Sequence, residues 1–341
     1  MLAFECDYNN GAHPMLLRRL AETNDTPEEG YGYDAYSCAA AEKIRAFCGC
    51  PDGAVYFLAG GTQTNVVVLS AILAPHEGAV TAETGHIHVH EAGAPEYAGI
   101  KTLTLPSHDG KIDAGELSAF AARFYGDEAR EHMVFPGAVY LSHPTEYGTL
   151  YTKAELSAIA EVCRAYGMRL FLDGARLGYA LASRRTDVSI RDIAQLCDVF
   201  YIGGTKVGAL CGEAVVFPQG NLPPHFENHV KKCGAMLAKG RLIGAQFDAL
   251  FTDGLYLELG QHGIAAAERL KSILREKGYR FFLETDTNQQ FVILENAQME
   301  RLAAVVRFSR WEPYDETHTV VRFATSWATR DEELAALAEV L

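Results

Sequence analysis

The chain has 341 residues, 48% hydrophobic and 22% charged, an ordinary globular composition long enough to bury a substantial core. Its 30 Lys and Arg against 44 Asp and Glu give a net charge of −14, which argues against a nucleic-acid footprint but leaves room for a local cationic cluster. No run approaches ~18 uninterrupted apolar residues, and no basic region followed by an apolar run opens the sequence, so neither a membrane span nor a secretory signal is expected.

Eight cysteines (Cys6, Cys38, Cys48, Cys50, Cys163, Cys197, Cys211 and Cys233) are scattered without a paired framework. Cys48-Gly49-Cys50 is too short for the usual zinc spacing and lacks a second half. Buried thiols in a reducing cytoplasm are the expectation.

In chain order, residues 4–14 are polar and turn-rich, and Pro14 opens a helix suggested by Leu16, Leu17 and Leu20. Glu28–Tyr36 holds three tyrosines and two glycines, a mobile binding loop or an aromatic-packed turn. Ser37 reads as the N-cap of a helix through Phe47. A buried strand, Ala54–Leu58, runs into Gly60-Gly61-Thr62-Gln63-Thr64-Asn65 and then an apolar helix, Val66–Leu73. Strand, glycine turn and helix mouth together offer free N–H groups to a phosphate.

A short strand, Ala79–Ala82, precedes His86, His88 and His90. On a strand these would share a face as metal ligands; in a loop entering a helix they would diverge, and His86 would instead stack on a cofactor ring. No metal is expected. Further strands are Lys101–Leu105 and Ala138–Ser142, the latter ending at His143 and Glu146; helices are expected over Ala114–Phe124 and Lys153–Tyr166.

Two apolar runs of strand length follow, one from Arg169 to Asp173-Gly174-Ala175-Arg176, the other from Asp198 to Thr205-Lys206. Ligands in open α/β sheets sit at the carboxyl ends of strands, where Asp173 and Lys206 would lie. An acid and an amine there suit pyridoxal 5′-phosphate (PLP): the lysine forms the Schiff base and the carboxylate keeps the pyridine nitrogen protonated.

Beyond the strand Glu213–Phe217, a basic run (Lys231, Lys232, Lys239, Arg241) is either a solvated helix face or an anion site. Residues 254–277 read as mainly helical, followed by strands Gln289–Leu294 and Thr319–Phe323 and a helix Glu332–Leu341. Arg322, within an apolar strand, requires a structural or a substrate carboxylate. The alternation of strands and helices over residues 50–217 predicts an α/β fold with a three-layer, mostly parallel sheet. The division expected is a large unit over 1–245, with an N-terminal arm, and a smaller α+β unit over 246–341.

Gly61-Thr62-Gln63-Thr64-Asn65, His86 with Glu91-Ala92-Gly93, Asp173-Gly174-Ala175-Arg176, Thr205-Lys206 and Val321-Arg322-Phe323 together resemble the low-specificity threonine aldolases of the β-eliminating lyase group, over essentially the whole chain. The resemblance implies the PLP-dependent aspartate-aminotransferase fold. It assigns Lys206 as the Schiff-base lysine, Asp173 to the pyridine nitrogen, His86 to ring stacking and proton transfer, and Gly61 and Thr62 to the phosphate. It places Arg176 beside the ring's phenolic oxygen and the substrate carboxylate, and Arg322 as the bidentate clamp on that carboxylate.

The family also sets a partner subunit's arginine near the phosphate, for which Lys239 or Arg241 is the nearest match, so a homodimer or homotetramer is expected. Two departures fall at the substrate pocket. The family's opening Arg-Ser-Asp-Thr is here Glu5-Cys6-Asp7-Tyr8, which makes Cys6 and Tyr8 substrate contacts, and its Glu-Asn-Thr-His-Asn-Gly is here His143-Pro144-Thr145-Glu146-Tyr147-Gly148. The implied reaction is retro-aldol cleavage of a β-hydroxy-α-amino acid to glycine and an aldehyde, with His86, His143 or Glu146 as base.

PLP-dependent β-elimination, a retired PLP fold used as a scaffold, and a nucleotide-binding α/β protein are the rivals. The last lacks the Walker lysine motif and any G-x-G-x-x-G at the glycine turn.

Overall fold

Continuous apolar runs without alternation become strands buried on both faces. In the computed structural model, which describes residues 1–341, strands in the first part of the chain are β1 (Leu2–Ala3), β2 (Ala54–Leu58), β3 (Glu77–Ala82), β4 (Lys101–Leu105), β5 (Phe135–Ser142), β6 (Arg169–Asp173), β7 (Val199–Gly203) and β8 (Glu213–Phe217). The later ones are β9 (Arg280–Leu283), β10 (Gln289–Glu295), β11 (Val306–Arg307), β12 (Ser309–Pro313) and β13 (His318–Ala324).

The central sheet has seven strands in the order β2-β8-β7-β6-β5-β3-β4. Only β8 runs against its neighbours; the pairs among β7, β6, β5, β3 and β4 are parallel. Helices cover both faces, one packed with Val80, Leu141, Leu172 and Ile202, the other with Val67, Tyr140, Phe171 and Tyr201. This is the expected three-layer architecture.

Local chemistry delivers each strand to its place. The helix Lys153–Tyr166 opens with a Thr152/Glu155 capping box and closes on Gly167 in the left-handed region (φ 69°), which turns the chain directly into β6. At the far end of β6, a Cβ on Gly174 would meet the Tyr201 carbonyl at 2.1 Å, and one on Gly203 would meet the Ala175 carbonyl at 2.3 Å. The Gly203 N–H donates to the Gly174 carbonyl across this approach (2.9 Å). Only glycine lets the two turns touch, so Asp173 and Lys206 share one wall.

A second, antiparallel sheet in the order β12-β13-β10-β9 carries Arg322. Its core takes in Phe4: the Phe4 N–H donates to the Arg307 carbonyl (2.9 Å), and its carbonyl accepts from Ala324 (2.8 Å). The N-terminal arm is thereby held at the seam between the sheets. Helix Leu255–Glu276 spans that seam, with Tyr256 and Leu259 in the large core and Leu270 and Leu274 in the small one. Residue 245 lies inside helix Arg241–Leu250.

Two local expectations are corrected. Asp34, not Ser37, caps the helix Ala35–Cys48, its Oδ1 accepting from the Ser37 N–H at 2.8 Å. The helix expected from Val66 begins at Gly61, so Thr62–Asn65 form its first turn. Apolar periodicity marks only the packed part of a helix, and the polar first turn is hidden from it.

Candidate active site

The carboxyl ends of β2, β5, β6 and β7 converge on Asp173. Its Oδ1 accepts from the Ala175 N–H (2.9 Å), and its Oδ2 accepts from the Tyr140 hydroxyl (2.5 Å) and the Asn65 amide (3.2 Å). Burial pushes the carboxyl up, but His86 and the hydroxyls of Tyr140 and Tyr201 outweigh it and hold Asp173 below the ordinary carboxylate range. Asn65 also donates to Glu91 Oε1 (2.6 Å), which lies 2.8 Å from His86 Nδ1. A carboxylate at Nδ1 keeps that nitrogen protonated and leaves Nε2 free to accept. The His86 N–H donates to Glu146 Oε1 (2.9 Å), which also accepts from the Ser142 hydroxyl (2.5 Å).

Helix Gly61–Ile72 opens on this network with no side-chain cap; the Thr64 N–H is satisfied by the Gly60 carbonyl (2.9 Å). The mouth therefore presents the N–H groups of Gly61, Thr62 and Gln63, and the buried Thr64 hydroxyl has no partner. A Cβ on Gly61 would press to 3.2 Å on the Tyr201 hydroxyl.

Lys206 is half-buried at the end of the turn after β7. Burial first, then the neighbouring Arg176, hold its amine below the usual lysine range. Its Nζ lies 6.0 Å from the Tyr8 ring centroid. Behind it, Thr205 donates to the buried Glu213 (2.8 Å), whose carboxyl burial raises to about 8, leaving it protonated at neutral pH.

The other wall is cationic. Arg176 grips Asp7 through Nε (2.7 Å) and Nη2 (3.0 Å), and the Asn288 amide also donates to Asp7 (2.9 Å). Burial opposes ionisation of Asp7, yet Arg176 and Lys206 bring it down to about 2. Arg322 is buried and has no carboxylate partner. Its Nη1 donates to Gln289 (2.8 Å), its Nη2 to the Glu5 carbonyl and the Ser309 hydroxyl (each 3.0 Å), and its Nε has no acceptor. Its guanidinium lies over Trp311, 5.0 Å from the ring centroid. Burial and Arg176 lower it to about 10, so it stays charged at neutral pH.

Gly61, Thr62, His86, Asp173, Arg176, Lys206, Arg322 and Tyr8 thus bound one cleft, with Cys6 close to Arg322. Glu146 reaches its edge, but both its contacts serve to hold His86 and Ser142. Three expected residues lie elsewhere. His143 turns to the far side of β5, where its Nδ1 accepts from the Tyr151 N–H (3.4 Å) and burial lowers it to about 4; alternation along the strand end sends Ser142 to the cleft and His143 away. Arg241 is spent on the carbonyls of Thr23 and Thr26. Lys239, in the adjoining turn, has no hydrogen bond or ion pair to the helix mouth.

His86 and His88 fall in a one-turn helix, His86–Val89, so the three rings do not share a strand face: His88 turns away to Thr102, whereas the His90 ring lies between His86 (5.6 Å) and Trp311 (5.8 Å). Asp7, Tyr140, Tyr201, Asn288, Gln289 and Trp311 were not singled out by the sequence. The available signals were Tyr140 and Tyr201, hydroxyls inside apolar strands and so in need of a partner.

The beta-eliminating lyase family model matches residues 10–297. The chain belongs to the beta-eliminating lyase family. Members of this family are PLP-dependent lyases. The structure is similar to Leishmania major threonine aldolase (TM-score 0.95, 40% identity, covering 100% of this chain and 98% of that one). In sequence it is 29% identical to the low specificity L-threonine aldolase of Pseudomonas sp. (strain NCIMB 10558), over 98% of this chain and 95% of that protein. A Thermus thermophilus aspartate aminotransferase shares the fold (TM-score 0.70, 15% identity, covering 100% of this chain and 92% of that one).

The residues fit PLP. A helix mouth with three free N–H groups and an unpartnered hydroxyl suits a phosphate, Asp173 is a charged acceptor for a ring nitrogen, and Lys206 is an amine of lowered basicity.

Proposed function

We propose that this protein cleaves β-hydroxy-α-amino acids of the threonine type to glycine and an aldehyde, using PLP. When bound, PLP supplies an electron sink for the pair left on Cα. The reading rests above all on Arg322, a buried cation without a carboxylate whose Nε is unpartnered, set near Arg176 and Asp7. An α-carboxylate is the anion that fits it.

In this reading Lys206 is the amine that would hold the cofactor covalently. Asp173, held charged by Tyr140 and Tyr201, keeps a proton on the pyridine nitrogen. Gly61, Thr62 and Gln63 hold the phosphate through backbone N–H groups. Arg322, braced by Gln289 and Ser309, would fix the substrate carboxylate and so orient the substrate about Cα.

The His86 Nε2, freed by the Glu91 contact at Nδ1, accepts the β-hydroxyl proton directly or through a water. As that proton leaves, the C–O bond becomes a carbonyl, the Cα–Cβ bond breaks, and a proton returned to Cα completes glycine. Of the other expected bases, His143 faces Tyr151 away from the cleft, and Glu146 uses Oε1 to accept from the His86 N–H and the Ser142 hydroxyl, which favours a positioning role for it.

A homodimer or homotetramer in the cytoplasm accords with the resemblance. Lys239, with no partner in its own protomer, is then better placed than Arg241 to serve a neighbouring subunit's phosphate site.

The test is a visible spectrum of the purified protein, followed by incubation with L-threonine, L-allo-threonine and phenylserine while aldehyde and glycine are assayed. A coloured protein releasing both products in equal amounts is expected. Keto acid and ammonia without glycine would reassign it as a β-eliminating enzyme, and a protein that PLP cannot colour would end the reading.

A further inference from the structure

Cys48 and Cys50 find a use outside the active site. Helix Ala35–Cys48 ends at Cys48, Gly49 turns through the left-handed region (φ 68°), and the Cys50 N–H returns to the Arg45 carbonyl at 3.0 Å. The Gly53 N–H then donates to the Cys50 carbonyl (2.9 Å). This doubly bonded turn brings both residues to the wall of one pocket. All eight cysteines are free, and no other two of them are held together by a fixed turn.

Both thiols line an open pocket of about 730 Å³ that Arg164 and Arg191 also enter. The Arg191 side chain lies across Gly49, where a Cβ would come within 3.3 Å of its Nε. The two sulfurs are chemically unequal. The adjacent Cys48 thiol, then the Arg45 guanidinium, bring Cys50 down to about 7, whereas Cys48 is pushed well above the ordinary thiol range by its neighbour and by burial. A thiol of lowered pKa beside one of raised pKa, at the wall of an open pocket where Arg164 and Arg191 outnumber Asp52, is the arrangement of a nucleophile with its resolving partner.

We propose that Cys48 and Cys50 form a reversible dithiol–disulfide couple, in which Cys50 reacts with a small hydroperoxide entering the pocket and Cys48 resolves the product. The Cys50 thiolate attacks one peroxide oxygen; an S–O bond forms, the O–O bond breaks, and the departing hydroxide takes a proton to become water. Cys48 then attacks the Cys50 sulfur. The S–S bond forms, the S–O bond breaks, and the second hydroxide leaves as water with the Cys48 proton. The two thiols lose two electrons and one hydrogen peroxide becomes two waters. Two equivalents of a small thiol reverse the couple by exchange and leave as their own disulfide.

The couple is remote from Lys206. β2 starts beside it at Ala54, paired with Phe217, and the opposite end of β2, Leu58, pairs with Glu213 behind the lysine. Oxidation is therefore expected to leave the cofactor spectrum unchanged.

The experiment treats the full-length holoenzyme with a small excess of hydrogen peroxide, alkylates in denaturant and digests with trypsin. Cleavage at Arg45 and Lys101 releases a peptide in which Cys48 and Cys50 are the only cysteines. That peptide should lose two hydrogens and resist alkylation roughly 3- to 10-fold sooner than the exposed Cys38 is modified, and glutathione should restore it. In Cys48→Ser, dimedone should trap a sulfenic acid on Cys50; in Cys50→Ser, Cys48 should stay reduced at the same dose. A peptide that remains fully alkylatable while Cys38 oxidises would overturn the proposal. So would Cys48 oxidising at an undiminished rate in Cys50→Ser. The wild-type peptide map decides the question even where a variant fails to fold.

Discussion

The two walls of the cleft are built on different terms. The wall around Asp173 comes from strand ends of one sheet, and its charges are satisfied internally: Asp173 by Tyr140, Asn65 and Ala175, and His86 by Glu91. The wall around Arg322 is assembled from the N-terminal arm, the antiparallel sheet and the loop at Asn288. Arg176 there has Asp7, but Arg322 has only neutral acceptors. A buried network with its own counter-charges is rigid without a ligand, whereas a buried cation without one is stabilised by the anion it binds. In the proposed reaction the first wall would orient the cofactor and the second would capture the substrate.

Lys206→Ala breaks the first wall outright. Turnover should fall by more than about 10³-fold, with loss of the visible absorbance of the bound cofactor; a coloured, active variant would remove Lys206 from its role. Arg322→Gln separates the walls. The visible spectrum should stay intact while kcat/KM falls about 10- to 100-fold, chiefly through KM, as expected for losing a charge-assisted pair. An equal loss in cofactor affinity would show that the two walls are not independent.

Asp7→Asn strands the Arg176 charge, and the melting free energy should drop by roughly 3 kcal/mol at neutral pH. The pH dependence sharpens this. Because the folded Asp7 carboxyl sits at about 2 against an ordinary 3.8, its contribution is fully present above pH 4 and lost as pH falls through about 2. The gap in melting temperature between wild type and variant should therefore close below pH 4, and a gap that persists would mean that packing, not charge, holds the pair. His143→Leu should do least: kcat within about twofold and stability within roughly 1 kcal/mol, because its ring makes one long hydrogen bond and is kept neutral by burial. A large loss of kcat would return His143 to the list of bases.

The sequence by itself determined the sheet and the cofactor wall. Runs such as Leu170–Leu172 and Val199–Ile202 are apolar because both faces are covered, and the polar residues that follow them fall at the carboxyl edge by the direction of a parallel sheet. Residues 61–65, 173–176 and 205–206 were legible because each motif is local and its function follows from its position on that edge.

Only the tertiary structure decided the substrate wall. Nothing local connects Asp7 to Arg176, 169 residues apart, or Asn288 to Asp7, 281 apart. Whether His143 or Ser142 faces the cleft depended on which side of β5 the strand end leaves, a one-residue matter that composition does not encode. Arg322 was recognisable as needing an anion. That the protein provides none of its own emerged only once its neighbours, Gln289, Ser309 and Trp311, were in place around it.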